Sequence, residues 1–188
     1  IDVISNNPDF KDCHFQILHS LEAIFLNIPP EFTIAFKEEF LNLIKRIEPV
    51  INTYADKKSP EDINYLNTFY EFLANCYRAY VLSFINKPPL GSFPSEVYAE
   101  ERDNLFHLKT FAGYINKIDD FDKTNELFIA YIDLVDAITV RTSRKNTQIL
   151  NNIVIKKPLQ AAKKSFERQN MPDEQKKVSS LLAEMLRV

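Results

Sequence analysis

The chain has 188 residues, 45% apolar and 26% charged, with 15 Phe, 8 Tyr and no Trp, enough for one domain with a substantial core and unlike a disordered chain. Only 2 residues are Gly, far below the average usage of about 7%. This argues against a β-sandwich, a Rossmann unit and a P-loop, which need glycine where backbone turns tightly or approaches phosphate. The net charge of −3 hides a split: residues 1–140 carry 22 Asp/Glu against 12 Lys/Arg, whereas residues 141–188 carry 4 against 11. Such asymmetry implies a localised electropositive surface.

Cys13 and Cys76 lack metal-type spacing and read as two buried thiols of a reducing compartment, so an intracellular location, cytoplasmic or nuclear, is expected. No apolar run approaches the ~18–20 residues of a membrane span. The first nine residues lack the basic-then-apolar pattern of a signal peptide. Without an initiator Met, the chain reads as a fragment of a larger protein or a processed product.

Periodicity is helical nearly throughout. A first helix is predicted from about Pro8 to Leu26, with Phe15, Leu18, Leu21, Ile24 and Phe25 on one side and Pro29-Pro30 as its stop. A second follows on Phe36, Phe40, Leu43, Ile44, Ile47, Ile51 and Tyr54, and Pro49 is expected to kink it or end it early. The third has the clearest start: Ser59 as N-cap, Pro60 at the first position, Glu61 and Asp62 at the positive end of the dipole. It runs through Leu66, Phe69, Tyr70, Leu73, Cys76, Tyr77, Tyr80, Val81 and Phe84, apolar enough to be central.

Residues 86–94 form a proline-rich break and a possible internal boundary. Ser95 is then expected to cap a helix carrying Tyr98, Leu105, Leu108, Phe111, Ala112 and Ile115. Thr124 or Asp122 is expected to cap the next, with Leu127, Phe128, Tyr131, Leu134, Val135 and Ile138 inside.

At 100° per residue, the apolar face of residues 145–169 does not stay in place. Ile149, Leu150, Ile153 and Val154 fall on one side; Leu159, Ala162 and Phe166 fall nearly opposite. Two helices are therefore predicted, divided at Lys156-Lys157-Pro158, with Lys157, Lys164 and Arg168 opposite the second apolar face. Pro172, Asp173 and Glu174 open a last helix with Val178, Leu181, Leu182, Met185 and Val188 as its stripe.

The chemistry-bearing residues form no convincing site. His14 and His19 are five apart, about 140° around a helix, and do not converge on a metal. Around His107, Lys109 and Gly113 miss the spacing of phosphotransfer histidine helices, and a structural, partly exposed histidine is expected. Asp119-Asp120-Phe121-Asp122 lacks the last aspartate of the Asp-Asp-x-x-Asp magnesium motif, since Lys123 stands there; turn formation and helix capping account for it. Asp133 and Asp136 fit a solvated helical face. The aromatic run Phe69, Tyr70, Phe72, Tyr77, Tyr80 and Phe84 reads as core packing before it reads as a ligand surface.

The basic end is what remains. Arg141, Arg144, Lys145, Lys156, Lys157, Lys163, Lys164 and Arg168 are the candidate partner-binding residues, with Lys176 and Lys177 following. They suit an anionic partner, an ordinary solvated face, or internal packing against the acidic helices. The expected fold is one all-α domain of about six to eight helices. It is either an antiparallel bundle or a short α-solenoid that resembles HEAT-type repeats in helix length and aromatic-rich apolar faces. The expected function is a non-enzymatic scaffold that binds another protein, with an exposed apolar groove or patch. The alternative is an anion-binding domain whose basic end contacts nucleic acid or anionic membrane. A helical enzyme comes third, and no cofactor or metal is implied.

Overall fold

Helix positions follow the three-to-four-residue rhythm of the apolar side chains. The computed structural model describes residues 37–55, 59–86, 94–141 and 155–185, together with positions 16, 20, 23, 24 and 27. These residues form six long helices and no strand: α1 (Lys37–Ala55), α2 (Pro60–Asn86), α3 (Pro94–Ile115), α4 (Phe121–Arg141), α5 (Lys156–Arg168) and α6 (Pro172–Met185). The architecture is an all-α helical bundle. Helices pack extensively only on their neighbours or next-but-one neighbours in the chain, with α2–α3 the closest pair. One contiguous core draws residues from all six, from Ile44 and Ile47 of α1 to Val178 and Leu181 of α6.

Most of the expected first helix lies outside the described residues. Its described positions are helical, and Ser20 Oγ and Asn27 Nδ2 each donate to the carbonyl four residues back, on Gln16 and Ala23.

Pro49 does not end α1 early. The helix continues through it to Ala55. Pro49 is exposed, so water can satisfy the Lys45 carbonyl that its missing N–H leaves free.

The start of α2 is as expected. Ser59 Oγ accepts the Asp62 N–H at 3.1 Å and donates to Asp62 Oδ2 at 2.5 Å. This reciprocal cap, with Pro60 at the first helical position, leaves few orphan donors. From Tyr65 to Ile85 no residue is exposed, so α2 is the central helix. His107 of α3 is half-buried, its ring 5.1 Å from the Tyr80 ring and 5.7 Å from that of Tyr77, a structural role in agreement with the sequence.

Two cap expectations need correction. α3 begins at Pro94, so Ser95 lies inside it rather than before it; Pro94 itself takes the first position, where its missing N–H costs nothing. α4 begins at Phe121, and its cap is Asp120, not Asp122 or Thr124. Asp120 Oδ1 accepts the N–H of Asp122 at 3.1 Å and of Lys123 at 3.2 Å. Thr124 Oγ1 instead donates to the Asp120 carbonyl at 2.5 Å.

Of the two helices expected to divide at Lys156-Lys157-Pro158, the second is α5, which starts at Lys156; the first, and with it the re-aiming, falls on residues 142–154, outside the described ones. Pro158, Leu159, Ala162 and Phe166 are buried. Phe166 meets Phe128 of α4 edge-on, at 6.4 Å and 74°. The exit from α5 is a Schellman turn: Met171 N–H reaches the Phe166 carbonyl at 3.0 Å and Asn170 N–H the Glu167 carbonyl at 3.4 Å. Asn170 takes the left-handed position at φ 54°, which asparagine tolerates better than most residues.

Two buried asparagines tie these pieces together. Asn67 of α2 receives the Asp119 N–H on Oδ1 at 2.8 Å and donates Nδ2 to the Asp119 carbonyl at 3.3 Å, fixing the α3–α4 corner. Asn125 of α4 accepts from Ser165 Oγ at 2.9 Å and donates to Gln169 Oε1 and, at 3.5 Å, to Met171 Sδ, fixing the α5–α6 hairpin. Both side chains sit in register with buried apolar positions of their helices.

Three outcomes follow. Phe166→Ala is expected to destabilise the fold by about 3–5 kcal/mol in chemical denaturation, because the site is fully enclosed. Asn125→Ala should cost about 1–3 kcal/mol, by stranding the polar groups it serves. Burial raises the pKa of Tyr77, Tyr80, Tyr114 and Tyr131 above the ordinary tyrosine value. The neutral phenols are therefore favoured in the folded state. Their contribution is complete below the unfolded pKa of about 10 and declines as pH rises through the folded values. Phenolate absorbance should show a group of tyrosines titrating later in the folded than in the denatured chain.

Candidate functional site

The exposed face of α5 and the α3–α4 corner bound an open cleft of about 240 Å³. Its floor is apolar, from Ile115, Ile118 and Phe128. One wall is the corner, with Asp119, Asp120 and Phe121; the other is α5, with Ala161, Lys164 and Arg168. Asn67 holds the first wall and Asn125 the second, so the cleft's width is set by two buried polar clamps.

Lys157, Lys164 and Arg168 are exposed, on the face opposite buried Leu159, Ala162 and Phe166, as the angular argument required. Spacings of seven and four residues place them within about 40° of one another along about 16 Å of helix. Lys156 is also exposed, and Lys163 is half-buried. None of these five cations pairs with a carboxylate among the described residues. Lys156 and Lys157 stand in the first turn of α5, which has no acidic residue. Cations gain nothing from the positive end of a helix dipole, so helix stability does not explain them. Arg141 is the last residue of α4; its side chain, Arg144 and Lys145 lie outside the described residues.

The basic end is in part turned inward. Lys177 of α6 reaches Asp133 Oδ1 of α4 at 2.5 Å, an exposed ion pair worth at most about 1 kcal/mol. Asp133 and Asp136 are otherwise part of the solvated face that the sequence suggested. The Asp119–Asp122 run acts in the α3–α4 corner and in capping α4. Among the described residues, no group of three or more His, Cys, Asp or Glu side chains can hold a metal ion. Cys76 is buried; Cys13, His14 and His19 lie outside the described residues. No described helix is long and apolar enough to cross a membrane.

A broad exposed apolar patch is not found among the described residues. Their exposed large hydrophobics are Ile24, Phe106, Phe121 and Ile129. Phe121, 58% exposed, stands on the cleft's rim.

Sequence reasoning found the α5 cations but missed the corner opposite them. Asp119 and Asp120 are separated from Lys164 by more than forty residues, and only the docking of α5 on α4 brings them together. The available signal was Asn125, a polar residue in step with Phe128, Ile132 and Val135 on the buried face of α4. A polar residue in a buried register implies a partner from another element.

No protein-family model matches the chain, and neither a curated protein nor a solved structure does so.

Proposed function

We propose that the chain is a non-catalytic helical interaction domain, and that an acidic segment of another protein docks along α5 with an apolar side chain in the cleft beside it. The observation that carries this reading is the pairing of an uncompensated cation stripe, Lys157, Lys164 and Arg168, with an apolar-floored cleft rimmed by exposed Phe121. Interfaces draw their energy from a few anchored apolar or aromatic side chains, while rim charges set orientation and on-rate. The cleft supplies the first element and α5 the second.

Size favours an anchor over a metabolite. At about 240 Å³ the cleft is smaller than the roughly 300–1,000 Å³ of sites that enclose a drug-sized ligand. Charge favours a protein over a phosphate polymer. Asp119 and Asp120 share the cleft with Lys164 and Arg168, and Glu167 is exposed beside them. A nucleic-acid backbone or anionic bilayer laid on this face would bring phosphates against those carboxylates. A peptide can place a carboxylate on each cation and an N–H or a neutral side chain opposite each acid. The same mixed rim disfavours nonspecific phosphate binding, which rises with the number of phosphates neutralised.

Fluorescence anisotropy with a labelled peptide of glutamates around a single phenylalanine tests the reading, alongside duplex DNA and phosphatidylserine vesicles. The peptide is expected to bind at low salt and to weaken on the order of tenfold in the Lys164→Glu, Arg168→Glu double variant. Phe121→Ser should weaken it as well, with little effect on the helical circular dichroism. Failure of the peptide to bind at low salt would sink the proposal, and tighter binding of DNA or vesicles would replace it with the phosphate-binding reading.

A further inference from the structure

A second site lies away from α5, where α1, α2 and the end of α3 meet. Tyr70 of α2 and Tyr114 of α3 stack with ring centroids 6.2 Å apart at 30°, and Tyr77 extends the stack 5.9 Å beyond Tyr114 at 21°. Glu48 of α1 stands at its edge, Oε1 accepting the Tyr114 hydroxyl at 2.7 Å. An open notch of about 220 Å³ is lined by Glu48, Ile51, Tyr70, Tyr114 and Lys117.

Glu48 and the two tyrosine rings of this notch favour positive charge. The two ring faces present the negative side of the aromatic quadrupole, and the carboxylate adds a full charge beside them. The molecule itself reports that preference. The Lys117 ammonium sits over both rings, 5.3 Å from the Tyr70 centroid and 5.0 Å from that of Tyr114. Lys117 follows α3 in an exposed turn, so its long stem can carry the ammonium off the rings without moving a helix.

We infer that this tyrosine platform is a binding site for an alkylammonium group, above all a methylated one, and that Lys117 is its resident competitor. A quaternary ammonium has no N–H to leave unsatisfied on an aromatic face, so it gives up less on leaving water than the primary amine it displaces. The notch is large enough for such a head group. A metal ion is a poor alternative, because one carboxylate and two phenols supply too few hard donors.

The test is a nuclear magnetic resonance titration of the whole chain, following the Tyr70 and Tyr114 ring protons. The probes are N-acetyl-trimethyllysine amide and its neutral tert-butyl isostere. The ammonium probe should shift those rings and the isostere should not. Lys117→Ala should tighten binding about three- to fivefold, the size of one exposed cation–π contact released from competition. Tyr70→Leu, which keeps the apolar bulk and removes the quadrupole, should abolish it. Equal binding of the isostere, or no binding by the Lys117→Ala protein, overturns the proposal. Both outcomes are read without the Tyr70 variant, should that one fail to fold.

Discussion

The surface of the C-terminal third depends on how α5 is held. At 13 residues α5 is near the length at which an isolated helix is marginal in water, so its orientation must come from packing. Phe166 supplies the apolar part of that packing, seated against Phe128. Asn125 supplies the directional part, through Ser165 and the turn that leads into α6. Apolar contact alone permits a helix to rotate or slide by a fraction of a turn; a buried amide with several partners does not. The rotation of α5 decides which residues face water, and hence whether Lys157, Lys164 and Arg168 form one stripe.

The same logic operates at the opposite wall. Asn67 belongs to α2, the helix with no exposed residue between Tyr65 and Ile85, and it grips the Asp119 backbone from both sides. The corner is thus anchored to the centre of the fold rather than to its neighbours in sequence. Two cradled walls, an apolar floor and charges of both signs make a surface suited to a polypeptide, whose own groups alternate in charge and polarity over a few ångströms.

The tyrosine cluster illustrates how one set of residues serves packing and chemistry together. Tyr77 and Tyr80 close around His107, while Tyr70 and Tyr114 turn a ring face toward the notch beneath Lys117. Burial, reinforced by the bond to Glu48, holds the Tyr114 hydroxyl protonated well above the usual tyrosine range, so it remains a donor and the carboxylate remains in place. Apolar periodicity in the sequence identified Tyr70, Tyr77 and Tyr80 as core and could not distinguish buried Tyr80 from the half-buried Tyr70 and Tyr77.

Local rules that act within a few residues were legible before any coordinates. Ser59 and Pro60 announced the start of α2, the 3–4 rhythm identified the buried faces of α2 to α6, and the angular positions within α5 placed Lys157, Lys164 and Arg168 on its outer side. Caps were less legible, since several adjacent acids competed at α4 and the choice of Asp120 depended on where the preceding corner was pinned. The sequence by itself determined an all-helical chain with a basic outer face on α5, because helix periodicity, capping and proline stops are short-range steric and hydrogen-bonding effects. Only the tertiary structure decided that this face borders the Asp119–Phe121 corner and that Lys117 covers Tyr70, because those juxtapositions are made by contacts between residues some forty or more apart in the chain.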